Sequence, residues 1–455
     1  MRPLDAGQVV GFLLLDLTLI VVMARLVGSL FVRIGQPRVV GEIVAGVLLG
    51  PTLLGPALWG GFSAPDVLHC AQALVAAPPG TVESPTWCLF PAQARTIIGG
   101  IGQVALLVFM FLTGLEVDGG LLKGRMRGIV LVGAGVVAIP MALGLVIGPV
   151  MATDVFKPAE ASDLGFILFV GAMMAVTAFP VMVRILQEKG LTLSRMGATG
   201  IAAAAVCTVV MFMAASSAAS LARGEAVSGL TVKLALSVAY LAAMMLAVKP
   251  LMARAARRYQ STGSLDSGLF ALIFVVMLAS GYVAHLLGMT VIVGGFMAGL
   301  AMPVRKPLFA DMSHRLAELT GTILLPIFLA FSGLGTDFTR LSVAAMGGLG
   351  LFLLGGIVSK WLGGAALARL GGMSWAEGNV LGVLMNCRGL LVLVVALEGV
   401  QANVISPVAQ VGAVMMALIT TAMTGPLFDR FMRSVPTDKP PSGDTKAAMA
   451  DTLTA

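Results

Sequence analysis

Four side chains with ionisable or coordinating groups, Thr177, Cys207, Lys360 and Arg388, each lie inside a long apolar run of this chain. Thr177-Ala178-Phe179-Pro180 interrupts the run 163–187, and Asn386-Cys387-Arg388-Gly389 interrupts 374–398. Between them, the small-residue run Ala202 to Val206 is followed by Cys207-Thr208, and Lys360 sits within 341–368. A proline or glycine at that depth frees backbone groups that lipid cannot pair, so such breaks belong where a cavity is lined and something binds. Burying an ionisable group there costs about 2.5 kcal/mol or more, which makes Lys360 and Arg388 functional candidates by default. The bland readings stand beside this one. Pro180 alone is a kink, Arg388 binds carbonyls freed by the break, and Lys360 bonds a broken-helix C-terminus.

With no acid beside it, burial disfavours the ammonium of Lys360, which makes that lysine a candidate proton carrier. The hydroxyls of Thr177 and Thr208, the Asn386 amide and the freed carbonyls are oxygen donors suited to a monovalent cation. The net charge of such a site is positive, which suits a small organic anion instead. No zinc spacing, phosphate loop or nucleophile elbow accompanies these groups, so the residues support neither an enzyme nor a bound cofactor.

The elements that position them follow from composition. In 455 residues, 58% are hydrophobic and 11% charged, with mean hydropathy +0.99, against roughly a quarter charged in soluble domains. The chain reads as an all-α polytopic membrane protein of about thirteen segments: 8–32, 37–50, 97–117, 128–153, 163–187, 193–222, 229–253, 266–288, 290–303, 319–335, 341–368, 374–398 and 404–428. The first lacks the basic lead-in and cleavage site of a signal peptide. A net charge of +7 reflects loop asymmetry rather than nucleic-acid binding. Connections after odd-numbered segments hold Arg33, Arg38, Lys123, Arg125, Arg127, Arg184, Lys189, Arg195, Lys249, Arg254, Arg257, Arg258, Arg305, Lys306, Arg315 and Arg369; the others hold Arg2, Arg95, Lys157, Arg223 and Arg340. That bias places the N-terminus outside and the C-terminus in the cytoplasm. It also places Cys70 and Cys88 in one outer loop, where a disulfide is expected.

Two motifs recur in order. Val40-Gly41-x-x-x-Ala45-Gly46 returns as Val293-Gly294-x-x-x-Ala298-Gly299, and Phe109-x-x-x-Thr113-Gly114-Leu115-x-x-Asp118 as Phe328-x-x-x-Ser332-Gly333-Leu334-x-x-Asp337. Each pair is seven segments apart, an odd displacement that inverts topology. Inverted repeats, about 37–222 and 290–428, are a mark of secondary transporters with a site at their interface. The same displacement carries the break at Thr177 to the break at Asn386, so the two broken helices should cross at the midplane.

Gln36-Pro37-Arg38-Val39-Val40-Gly41-Glu42-Ile43, Phe111-x-x-Gly114-Leu115-Glu116, Thr177-Ala178-Phe179-Pro180 and Asn386-x-Arg388-Gly389 together resemble the second monovalent cation:proton antiporter family, of bacterial sodium/hydrogen exchanger type, over about residues 8 to 430. The resemblance implies a thirteen-helix domain over 1–435, a homodimer in the bacterial inner membrane, alternating access, and exchange of protons for sodium or potassium. It leaves 436–455 as a disordered cytoplasmic tail. The chain departs from the family pattern where one or two acids usually follow the small-residue run, since Cys207-Thr208 stands there, and again after Arg388-Gly389, where Leu390 replaces an acid. Lys360 resembles the family's membrane lysine. The site is therefore read as Thr177, Cys207, Thr208, Lys360, Asn386 and Arg388, with breaks at Pro180 and Gly389, and Glu42 and Glu116 in pathway or structural roles. Two alternatives accompany the antiporter reading: an organic-anion exporter and a transport-inactive regulatory protein. Asp118 and Asp337 are read as helix ends, His285 as a packing residue, and Asp16 and Arg25 as lying on opposite faces of the first segment.

Overall fold

The computed structural model describes residues 4–55, 58, 85–116, 126–191, 194–225, 227–262, 267–303 and 306–435, and among these the chain is helical, without a strand. The first group of helices is α1 (Ala6–Arg33), α2 (Arg38–Leu49), α3 (Ala92–Leu115), α4 (Met126–Met151), α5 (Asp163–Ala175), α6 (Phe179–Glu188), α7 (Arg195–Ala222) and α8 (Val227–Ala243). There follow α9 (Lys249–Thr262), α10 (Ser267–Leu286), α11 (Val291–Ala301), α12 (Lys306–Leu319), α13 (Leu325–Leu334), α14 (Val343–Leu370), α15 (Trp375–Asn386), α16 (Gly389–Gln401) and α17 (Pro407–Met432). Ser162, Ser194, Ser342, Ser374 and Ser406 start five of them, each accepting from an amide of the first turn. Single π-helical turns, Met244–Val248 and Thr320–Leu324, join α8 to α9 and α12 to α13.

Nine helical runs among the described residues are long and apolar enough to cross a bilayer, and ten if the bent pair α15–α16 counts as one. The predicted thirteen is not reached by length. With 12 and 11 residues, α2 and α11 extend about 18 Å or less at 1.5 Å per residue, short of the ~30 Å hydrocarbon layer.

These two short helices are where the repeated motifs act. A β-carbon at Gly333 of α13 would stand 2.6 Å from the Ile43 carbonyl oxygen of α2, and one at Gly46 would meet the Ala330 carbonyl. In the other copy, a β-carbon at Gly299 of α11 would meet the Phe111 carbonyl of α3, and one at Gly114 the Phe296 carbonyl. Gly41 likewise faces Gly28 of α1, and Gly294 faces Gly281 of α10: a β-carbon added at either would lie 2.7 and 2.5 Å, respectively, from the opposing α-carbon. Each copy's short helix is thus seated on the other copy's Phe-x-x-x-(Thr/Ser)-Gly-Leu helix by glycine, which lets backbones touch where no hydrophobic drive exists.

Gly46→Ala and Gly299→Ala are therefore expected to destabilise the protein alike, by about 1–3 kcal/mol each, since the opposing atoms are backbone and cannot turn aside. Gly11→Ala, which meets nothing within 4 Å, is the neutral control. Thermal unfolding of the purified protein in detergent checks all three.

Cys88 is disulfide-bonded, and Cys207 and Cys387 are free. Cys70, Asp118 and the tail 436–455 lie outside the described residues. Asp337 lies beyond the end of α13, which Gly335 caps, and instead starts a single 3-10 turn, Phe338–Arg340, by accepting from the Thr339 amide. His285 is exposed on α10 rather than packed, because it falls on the outward side of a helix whose buried stripe is Leu269, Ile273, Met277, Ser280 and Ala284.

Candidate functional site

The broken helices meet. Helix α5 stops at Ala175 and α6 begins at Phe179, while α15 stops at Asn386 and α16 begins at Gly389. The Ala178 amide donates to the Cys387 carbonyl at 2.7 Å, which ties one break to the other. Gly389 is required here twice over: its φ is +45°, and a β-carbon would lie 3.0 Å from that of Ala178. Pro180 enters as the second residue of α6, in the first turn, where a missing amide costs no helical bond.

Every helix leaves its last carbonyls unpaired, and here two buried cations take them. Arg388, fully buried, donates through Nη1 to the carbonyls of Met173, at 3.0 Å, and Met174 on α5, and through Nη2 to Gly356 of α14. Lys360, also fully buried, donates through Nζ to the Ala175 carbonyl at the end of α5 and to Val136 of α4 at 3.1 Å. The Val136 carbonyl has a cause of its own. Its helical partner would be the amide of residue 140, and Pro140 has none. Both charges thus lie at the negative end of α5, where cations are stabilised, and they are engaged rather than open to a ligand.

Around them the other predicted residues converge in part. The Thr177 hydroxyl lies 3.7 Å from Cys207 Sγ, which also reaches the Ala175 carbonyl at 3.7 Å. Thr208 is buried but donates back to Ala204 of its own helix at 2.9 Å. Asn386 is 2% exposed, and among the described residues neither its Oδ1 nor Arg388 Nε has a hydrogen-bond partner. Glu42 is buried on α2 beside Gly28 of α1, whereas Glu116 caps the end of α3 and is exposed. The structure therefore brings Thr177, Cys207, Lys360 and Arg388 together around one helix end, with Asn386 adjoining, and leaves Glu42 and Glu116 apart from it.

Sequence reasoning left the partners of several polar groups unassigned. Asp16 is fully buried in an every-fourth-residue stripe of α1 with Phe12, Ile20, Ala24 and Gly28. Its charged neighbour is Arg95, not Arg25. Arg25 donates instead to the Thr322 carbonyl at 2.5 Å, four residues ahead of Pro326. On α17, Thr421 is buried, with its hydroxyl beside the Cys387 thiol. A group of three or more His, Cys, Asp or Glu able to hold a metal ion is absent among the described residues.

A helical, multi-pass membrane fold in which two interrupted helices meet end against end, with buried cations on the freed carbonyls, defines a class of polytopic protein built around a core break. The chain belongs to the sodium/hydrogen exchanger transmembrane family, whose model matches residues 18–433. This is a family of transporters. The chain is 31% identical over 416 residues to the Na+/H+ antiporter NhaS4 of Synechocystis sp., covering 91% of this chain and 96% of that one. It is 28% identical to the K+/H+ antiporter 1 of Saccharomyces cerevisiae over 90% of its own length but 45% of that longer protein. Its fold is similar to that of the sodium proton antiporter MjNhaP1 from Methanocaldococcus jannaschii, with TM-score 0.60 at 14% identity over 94% of this chain and 98% of that one.

Proposed function

We propose that this protein exchanges a monovalent cation, sodium or potassium, for protons by alternating access. The observation that carries the reading is the near full-length match to the exchanger family over residues 18–433. The crossing of breaks at Ala178 and Cys387 supports locating the exchange there. The ion's oxygen donors are the Thr177 hydroxyl and the Asn386 amide oxygen, joined by the Ala175 carbonyl when Lys360 releases it, with Cys207 and Thr208 beside them and Lys360 carrying the proton. Arg388 organises the break. The organic-anion alternative loses its motivation, because Nη1 and Nη2 of Arg388 and Nζ of Lys360 already have carbonyl partners.

The same reading takes 37–222 and 290–428 as inverted repeats within one transmembrane domain, 1–435, whose packing at Gly46 and Gly299 supports that division. It sets the N-terminus outside and the C-terminus in the cytoplasm of a bacterial cell membrane, with the chain paired as a homodimer.

In proteoliposomes carrying a pH dye, adding sodium or potassium to one side is expected to drive proton movement at near-neutral pH. Absence of any such movement across the whole near-neutral range overturns the proposal. Cys207→Asp with Thr208→Asp is expected to raise the rate, since a carboxylate supplies the negative charge that oxygen dipoles alone do not.

A further inference from the structure

A second polar cluster lies on the helix that carries Cys207 and Thr208, about 12–18 Å further along its axis at 1.5 Å per residue, and the exchange mechanism above does not use it. A half-open cleft of about 20 Å³ is lined by Ser216, Ser217, Ser220 and Met213 of α7 and by Lys233 and Ser237 of α8, with apolar neighbours. The α7 residues fall at i, i+3, i+4 and i+7 and so form one stripe facing α8. Ser220 and Ser237 are buried, at 4% and 3% exposure.

One cation already sits at the edge of this cleft, and it belongs to the protein. Lys233 Nζ donates to Ser220 Oγ at 3.4 Å and pairs with Glu225 Oε2, while Arg223 approaches the opposite oxygen, Oε1, at 3.3 Å. Bonding from Lys233, above all, holds the Glu225 carboxyl below the usual carboxylate range, so it is anionic at neutral pH. The partners of the ammonium are a hydroxyl and a carboxylate oxygen, the same hard oxygen donors that alkali cations take. If Nζ withdraws, Arg223 still balances the single charge of Glu225, and Oε2 is left beside Ser220 as an oxygen donor without its ammonium partner.

Resting on the exchange reading, we propose that this cleft is a second binding site for the transported monovalent cation, and that Lys233 occupies it as a tethered competitor. An arriving sodium or potassium ion displaces the ammonium from Glu225 Oε2 and is held there with the Ser220 hydroxyl, at the edge of the cleft that Ser216, Ser217 and Ser237 line. The lysine thereby sets the cation concentration at which the site fills.

The test uses the full chain with two readouts: the cation dependence of exchange in proteoliposomes, and the cation dependence of melting in detergent, with choline chloride as the reference salt. Lys233→Gln is expected to lower the half-maximal sodium or potassium concentration in both, by about two- to fivefold, the scale set by a partly exposed ion pair. Adding Glu225→Gln should remove that gain. Lys233→Met, which keeps the aliphatic stem, repeats the measurement if glutamine perturbs folding. An unchanged or raised half-maximal concentration in the Lys233 variants, or a gain that survives loss of Glu225, overturns the site. If the wild type shows no exchange while Lys233→Gln still sharpens the melting response, the exchange reading fails and the site stands. If exchange is present but the response is unmoved, the site fails and the exchange reading stands.

Discussion

Arg388→Met is expected to abolish exchange and to lower the melting temperature more than any other single change at the crossing. The side chain is fully buried and serves three carbonyls on two helices, Met173 and Met174 of α5 and Gly356 of α14. A stranded buried carbonyl costs about 1–3 kcal/mol, and relief of the guanidinium's own desolvation returns only part of that, leaving a net loss of about 2–5 kcal/mol. The methionine fills similar space, so the loss reports bonding rather than a cavity. Arg388→Lys should recover part of the stability, because one ammonium reaches fewer of those carbonyls than a planar fork does. The direct check is thermal unfolding of the three proteins in detergent beside their exchange rates in proteoliposomes. A methionine variant with wild-type melting and rate would mean that the end of α5 is satisfied some other way.

What the sequence disclosed and what it hid have separate physical causes. Apolar run length located the helices, because lipid imposes a simple one-dimensional requirement. It left the count of spans unconfirmed, since α2 and α11 are short and gain their place by glycine contacts with α13 and α3, which hydropathy does not register. The repeated motifs picked out residues that pack closely, Gly46 on Ala330 and Gly299 on Phe111. At the site, the residue types were legible and their partners were not. Lys360 and Arg388 suggested a positive cavity, yet both bond carbonyls, and a carbonyl has no letter in the sequence. A usable signal was present nonetheless. Pro140 withholds the amide owed to Val136, and Pro326 the one owed to Thr322. Lys360 and Arg25 bond those two oxygens. An intramembrane cation can therefore be sought against the residue four places before a proline. Asp16 and Arg95 carried no such mark, since they become charged neighbours only through the packing of two helices.

That proline offers a way to separate the two roles of Lys360. Lys360→Met is expected to lose exchange by about 100-fold or more, the scale on which misplacing a reacting group by an ångström acts, and also to lose stability by stranding the carbonyls of Val136 and Ala175. Those losses have different remedies. Pro140→Ala supplies the amide that α4 lacks at that turn, so Val136 regains a backbone partner and the helix also gains from removal of the proline. The double variant Pro140→Ala, Lys360→Met should therefore melt close to the wild type. If Lys360 carries the proton, exchange stays lost in the double variant, because an alanine four residues along another helix supplies no titratable group. If the lysine only satisfies carbonyls, exchange returns with the melting temperature. Melting in detergent and proton flux in proteoliposomes, measured on the same four proteins, decide between them, and recovery of flux in the double variant would remove Lys360 from the transport cycle.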